Sequence, residues 1–520
     1  MKRCAATVWL VLGCGLFFLG CSGSSGGGAP AGGGGSASPA PPATIEVDAS
    51  AKVGALEPLW RDHYDLSYTL LGYASEPGLP ALIDELQPRS WRCSVGRWEV
   101  TTGVPGGDSL DPAVLRAVER EYYRGPNTLA GADDPANYDF AYLDRQLDEL
   151  LARGAEPYLC FDYMPFVLSS EQDPLNPNNI GRTQPQFSFS NGIRTAPPAN
   201  EAVYARVVRN VIRHVRGRFA GARDFGIDYF EIGNEPDLNV PLFWTGTRAQ
   251  FASMYAAIAA EVSADPSLAG IKLGAGSFAL LDGEPAPTFF ESFLDDVVAG
   301  GRRLDFVSYH SYGDDPAHHV AKLGFVAGLL GAKGLSPEIV NAEWGRKLDG
   351  IDPVYDEIEH GLFRAKVLAA MQDFGVRFAH EAVLRDPLPG NGILGLLFTG
   401  PAAHKPASRV YQGLQRLNGA TERLRVTAPA GTTVLAGADP IGQRVVVALV
   451  VEHPIAPADV DLAVRNFPWG SGYTLDRWEV TESGGVRHVV AGQRGQGELR
   501  FTGRFSPDGA GRLVVWELRP

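Results

Sequence analysis

The run Tyr229-Phe230-Glu231-Ile232-Gly233-Asn234-Glu235-Pro236-Asp237 reads as an apolar strand that stops abruptly in Asn-Glu-Pro. Glutamate has weak strand propensity, so Glu235 at the end of such a run needs a reason. A second run, Ile339-Val340-Asn341-Ala342-Glu343-Trp344-Gly345, again carries a strand into a carboxylate and an aromatic ring. Either glutamate alone could cap a turn or pair with a nearby arginine. Two of them in matching contexts suggest a shared site, because the carboxyl ends of parallel barrel strands face one mouth.

Outward from these two runs, short apolar stretches alternate with amphipathic ones. Strand candidates are Leu59–Leu66, Ser90–Gly96, Glu156–Met164, Ile227–Gly233, Ile271–Ser277, Leu304–Tyr312, Glu338–Trp344 and Val376–Leu384. Between them lie helical patterns such as Phe140, Leu143, Leu147, Leu150, Leu151, and Phe251, Tyr255, Ile258, Ala259, Val262. Both follow the spacing of one buried helix face. This alternation predicts an α/β fold, a (β/α)8 TIM barrel spanning residues 44–419 with insertions at Glu99–Tyr138 and Val167–Pro198. Each insertion follows a strand and so belongs on the functional face, as a cleft wall, a lid or a long loop. A doubly wound open sheet is the alternative, but no Gly-rich phosphate loop follows an early strand.

After Asn418 the helical period stops. Strand-like runs Arg444–Glu452, Tyr473–Thr481, Glu498–Phe505 and Arg512–Leu518 are separated by turn residues such as Asp508-Gly509 and Ser483-Gly484-Gly485. Residues 420–520 are therefore expected to form a small antiparallel β-sandwich.

At the other end, Lys2 and Arg3 precede the uncharged, mainly apolar run Ala5–Leu19. That run is shorter than the ~20 residues a membrane-spanning helix needs and fits an export signal over residues 1–20. Phe18-Leu19-Gly20-Cys21 resembles a bacterial lipobox, which would place a lipid on Cys21. Val11-Leu12-Gly13-Cys14 is a rival, and ordinary secretion with cleavage near Cys21 is an alternative. From Ser22 to Ala43 every residue is Gly, Ser, Ala or Pro, so residues 21–43 are expected to be a flexible tether. The expected location is the bacterial cell envelope, with membrane contact only through the lipid anchor.

The composition agrees with a globular protein. The 520 residues are 45% hydrophobic, 20% charged and 10% aromatic. Lys+Arg 46 against Asp+Glu 60 gives a formal charge of −14, which argues against a nucleic-acid partner. Of five cysteines, only Cys93 and Cys160 fall in the expected barrel. They sit in neighbouring strands and could form one bridge or remain buried thiols. The ten histidines are scattered, and no H-x-H or H-E-x-x-H pattern occurs, so neither metal nor cofactor is expected. No serine elbow is present. Two nearby carboxyls suit cleavage of a glycosidic bond, where one gives a proton and the other attacks or activates water.

The chain resembles glycoside hydrolase family 39. The family's fourth-strand motif is matched by Phe230, Glu231, Asn234, Glu235, Pro236, Asp237, Leu238, Phe243 and Trp244. The sixth-strand motif appears as Leu304-Asp305-Phe306-Val307-Ser308-Tyr309-His310-Ser311-Tyr312, and the seventh as Ala342-Glu343-Trp344. The exit from the barrel resembles Gly395-Leu396-Leu397 through Lys405-Pro406 to Leu417-Asn418-Gly419. The resemblance implies a retaining glycosidase acting on a poly- or oligosaccharide, with Glu235 as acid/base and Glu343 as nucleophile. It also implies that Asn234 binds the sugar's 2-hydroxyl. Arg92, where the clan places an arginine, could hold Glu343 ionised, and Tyr312 could donate to the same carboxylate. His310 would face the cleft or be a core histidine. Tyr163, Phe166, Phe243, Trp244 and Trp344 are candidate sugar-stacking rings or ordinary core. Arg92-Cys93-Ser94 lacks the family's histidine, and Phe378, His380 and Leu384 stand where tryptophans are common. Those departures bear on the identity of the sugar. A non-catalytic, tethered carbohydrate-binding protein on the same scaffold is the other reading, although a pure binder has no need of both glutamates.

Overall fold

A computed structural model describes residues 43–64, 77–95, 122–162, 164–172, 195–219, 227–238, 243–281, 287–346, 351–386, 391–398, 402–439, 441, 443–452, 458–483, 485–505 and 511–520. The chain divides into two units, one holding Glu57–Lys347 and Pro353–Gln415, the other the strand near residue 50 with Arg416–Pro520.

In the first unit eight parallel strands close a barrel. They are β2 (Asp62–Tyr64), β3 (Ser90–Ser94), β4 (Glu156–Phe161), β5 (Tyr229–Ile232), β6 (Lys272–Phe278), β7 (Phe306–Tyr312), β8 (Glu338–Gly345) and β9 (Phe378–Ala382), with β1 (Ala43–Ala55) lying outside the barrel. Pairing of His63 with Glu381 joins β9 to β2 and closes the ring. A helix follows each barrel strand: Leu79–Glu85, Ala141–Ala152, Glu201–Phe219, Arg248–Ser263, Phe289–Gly300, Pro316–Ala332, Ile358–Asp373 and Pro406–Leu414. The expected faces are the buried ones. Leu143, Leu147, Leu150 and Leu151 are buried, as are Phe251, Tyr255, Ile258, Ala259 and Val262. Local chemistry sets the helix starts. Thr247 with Gln250, and Thr288 with Glu291, form reciprocal capping boxes. Asp315 caps a helix opened by Pro316.

The barrel interior is filled at one level by Tyr158, Tyr229, Phe306, Val340, Ala342 and Phe378. Tyr229 meets Phe378 edge to face with centroids 4.8 Å apart, a favoured aromatic geometry. Gly274 makes room for this layer, since a Cβ there would lie 2.4 Å from the Phe306 ring.

The second unit is one nine-stranded sheet. Its order is Gly485–Gln496, Gly472–Thr481, Arg512–Arg519, Arg444–Val451, Thr433–Asp439, Glu422–Thr427, β1, Ala458–Arg465 and Leu499–Phe505. Every pair is antiparallel except β1 with Ala458–Arg465. The sheet folds over on itself: Phe501, on the last strand, stands 5.2 Å from Trp516 on the third. The expected small antiparallel β-sandwich is built from this one continuous sheet, folded around Val447, Leu449, Leu462, Val514 and Trp516. The expected barrel start at residue 44 is also corrected. Ile45, Val47 and Ala49 alternate with polar residues and bury into this sheet core, so β1 belongs to the second unit. Cys93 and Cys160 are both buried free thiols. Among the described residues no helix is long and apolar enough to cross a membrane.

Candidate active site

Residues two apart on a strand share a face, so the layer above the aromatic plug follows from the strand period. Two residues beyond Tyr158, Tyr229 and Phe306 come Cys160, Glu231 and Ser308. Glu231 is wholly buried, and its partner is Arg92 on β3. The guanidinium donates to Glu231 Oε2 from Nε at 3.0 Å and Nη2 at 2.9 Å. Tyr158 and Ser277 hydroxyls donate to Glu231 Oε1 at 3.0 and 2.7 Å. Both ions are out of water, so each needs the other and these further donors.

Arg92 connects this layer to the mouth. Nη2 donates to Asn234 Oδ1 at 2.7 Å, and Nη1 to Glu343 Oε2 at 3.3 Å. The Tyr312 hydroxyl donates to the other oxygen of Glu343. His310 Nδ1 lies 2.7 Å from Glu235 Oε1 and 3.8 Å from Glu343 Oε2. One oxygen of Glu235, one of Glu343 and one nitrogen of His310 all lie within 4.8 Å of each other. Three such groups could also gather a cation, but the short His310–Glu235 contact already joins two of the donors.

Two backbone irregularities aim the carboxyls. On β8 the register with β7 slips: Tyr309 pairs with Asn341, yet His310 pairs with Glu343. The extra residue lets Glu343 follow inward-facing Ala342 into the barrel, where strict alternation would send it out. The other case is Glu235, which lies past the end of β5 with φ +45°, after Gly233 with φ +87°. A Cβ on Gly233 would also meet the Phe251 ring at 2.6 Å, so glycine is needed twice over.

The two glutamates differ in electrostatics. Burial raises Glu235 to about 7, against the weaker pull of Arg92 and Lys322. Burial also pushes Glu343 up, with His310, Arg92 and Tyr312 opposing and Glu235 adding. Glu343 receives two hydrogen bonds that favour its charged form, from Arg92 and Tyr312. Burial holds His310 at about 4, so it is a neutral imidazole at neutral pH.

Of the residues expected in the site, Arg92, Asn234, Glu235, His310, Tyr312 and Glu343 converge. Trp344 does not. The same slip that admits Glu343 turns Trp344 outward, where it is fully buried, donates to the Ala379 carbonyl at 3.0 Å and packs edge-on against His319. Phe166 is core. Trp244 is largely buried, donates to the Thr247 carbonyl at 3.2 Å, and lines a small recess with Asn234, Phe243 and Met254. His380 is buried among Tyr158 and Phe378 and bonds Ser90 at 2.9 Å, so it belongs to the plug. Tyr163 and Cys21 lie outside the described residues. Sequence reasoning gave no role to Glu231, Tyr158, Ser277 or Asp237. The signal for Glu231 was available, since a carboxylate inside an apolar strand requires a buried cation.

The first unit is thus a parallel eight-stranded barrel with two carboxyls at the ends of its fourth and seventh strands. In comparison with known proteins, residues 126–323 match the model of glycosyl hydrolases family 39. That segment carries Asn234, Glu235, His310 and Tyr312 but stops short of Glu343. The chain is 27% identical over 183 residues to a beta-xylosidase of Geobacillus stearothermophilus. The match spans 35% of this chain and 32%, about a third, of that relative. In fold it is similar to a glucosidase of Croceicoccus marinus, with a TM-score of 0.65 and 19% identity over 92% of this chain and 100% of that one. A monomeric beta-xylosidase of Caulobacter crescentus gives a TM-score of 0.66 and 16% identity over 92% and 99%.

Proposed function

We propose that the chain is a retaining glycoside hydrolase that cleaves a poly- or oligosaccharide by double displacement. The observation that carries this reading is the approach of Glu235 and Glu343 within one mouth, an oxygen of each within 4.8 Å. Retaining enzymes hold their carboxyls about 5–5.5 Å apart, whereas inverting ones leave room for a water at about 6.5–9.5 Å.

Glu343 is the nucleophile, because Arg92 and Tyr312 both donate to it and favour its carboxylate. Glu235 is the acid/base, because burial keeps it protonated to about pH 7. When Glu343 loses its charge to the glycosyl bond, a like charge is removed from beside Glu235, which can then ionise and deprotonate water. His310 suits both states. A neutral imidazole nitrogen can accept a hydrogen bond from protonated Glu235 or donate one to its carboxylate. Asn234, oriented by Arg92, is placed to meet a sugar hydroxyl beside the reacting carbon.

The test is Glu343→Gln in the purified protein, screened with aryl glycosides and envelope polysaccharides. Turnover should vanish while binding persists, and proton NMR of the wild-type reaction should show the β or α configuration kept in the first product. Wild-type-like hydrolysis by Glu343→Gln would refute the assigned role. A wild-type protein that binds saccharide without cutting it would make the chain a binding module.

Export and acylation at Cys21 belong to the same proposal, with a cell-envelope polysaccharide as the natural substrate class. Mass spectrometry of the N-terminal peptide from membranes of an expressing bacterium tests it. A lipid-modified Cys21 is expected, and a free, unmodified N-terminus in the medium would remove the anchor.

A further inference from the structure

Asp237 follows the acid two residues later, and no step above uses it. It is fully buried. Its oxygens accept three consecutive backbone N–H groups, Ala279 at 3.0 Å on Oδ1, and Leu280 at 2.8 Å and Leu281 at 3.3 Å on Oδ2. Those amides open the segment after β6. Three N–H donors favour the ionised carboxylate over the acid, and an asparagine amide would turn its own N–H groups toward at least one of them. The geometry therefore calls for the ionised carboxylate. Among the described residues no lysine or arginine forms an ion pair with it, and the backbone N–H groups hold the charge.

The two segments that Asp237 joins are strained. Glu235, Ser277 and Leu281 have φ of +45°, +43° and +45°, the left-handed region that side chains disfavour. The Glu235 N–H also donates to the Ser277 carbonyl at 3.3 Å, so acid turn and β6 end are tied at two points.

We propose that Asp237 is a positioning residue: it latches the acid-bearing turn onto the segment after β6, and its negative charge adds to burial in keeping Glu235 protonated. The proposal rests on Glu235 being the proton donor. The other charged or titratable groups that face this corner are His310 on β7 and Lys322 on the following helix, whose Nζ donates to the Ala279 carbonyl at 2.8 Å. Lys322 and Arg92 pull Glu235 toward ionisation, and burial outweighs them. Burial raises Asp237 itself to about 6, opposed by the backbone donors, with Glu235 adding to the rise. The coupling is mutual: the charge that three backbone N–H groups hold on Asp237, two residues away, also discourages Glu235 from ionising.

Asp237→Asn tests both halves. The alkaline limb of kcat/KM should move about one pH unit lower. At the optimum, kcat should fall about 10–100-fold with KM changed far less. Amide exchange at 279–281 should quicken about tenfold or more. An unchanged alkaline limb together with unchanged exchange would overturn the proposal. If Asp237→Asn does not fold, carbon NMR of the wild-type carboxyls, with Glu235 assigned by its loss in Glu235→Gln, replaces it. Asp237 should titrate below Glu235, and the reverse order would overturn the charge argument. Amide exchange and these titrations need no turnover, so a wild-type protein inert on every glycoside would defeat the hydrolase reading while latch and charge are still judged.

Discussion

At the scale of residues, Arg92 binds the site together. It spans from Glu231, below the mouth, to Asn234 and Glu343 within it. Arg92→Lys keeps the charge but loses the planar fork, and cannot reach all three partners. It should lower stability by about 3–5 kcal/mol, since Glu231 is left as a poorly paired buried charge. Urea denaturation measures this, and a loss under about 1 kcal/mol would mean that Glu231 finds another partner. Glu235 gives the second prediction at this scale. Its raised value means the folded protein holds a proton that the unfolded chain releases. Stability from this group is therefore present below the ordinary carboxylate range and fades as pH rises toward about 7. Glu235→Gln should be the more stable form at pH ~8, by on the order of 1–3 kcal/mol, and the gap should close near pH ~4. Melting curves across that range check it. If Glu235 is the proposed acid, wild-type kcat/KM should decline above pH ~7 as it loses its proton.

Elements decide where those residues point. The period-two reading of β8 puts Trp344 with Ala342 and leaves Glu343 on the other face, and the observed slip reverses this. A bulge is an extra residue against the partner strand, so it depends on β7 and leaves no mark in the pattern of β8 itself. By contrast, the helix starts at Thr247, Thr288 and Asp315 use local chemistry, and such signals lie within a few residues of sequence. Thr288→Ala should therefore remove about 1 kcal/mol, read from chemical denaturation. The aromatic plug is the contrary case, because Gly274 and Phe306 meet only across β6 and β7. Gly274→Ala forces a methyl into that ring and should destabilise by about 1–3 kcal/mol, or more if the ring cannot move. Phe306→Leu in the same chain should recover part of the loss by vacating the ring's edge, and failure to do so would mean that the strain lies in the backbone.

At the scale of the whole molecule, β1 is the element whose place sequence order misleads most. It precedes the barrel in the chain yet pairs with Glu422–Thr427 on one side and Ala458–Arg465 on the other. Deleting residues 43–55 should expose two strand edges and the Leu462–Val464 core, and leave the second unit aggregation-prone. Hydrogen exchange at 458–465 and 422–427 measures this, and protection equal to the full chain would show that β1 only decorates the sheet. The sequence alone determined the alternation of eight strands and helices, the buried helix faces, and two glutamates ending the fourth and seventh strands. Each is written in periodicity or in neighbouring residues. Only the tertiary structure decided the buried Arg92–Glu231 pair, the slip that exchanges Glu343 for Trp344, the Asp237 latch and the seat of β1. Those depend on contacts between segments tens to hundreds of residues apart, and such contacts arise from packing and from the pairing of buried charge, which no local pattern records.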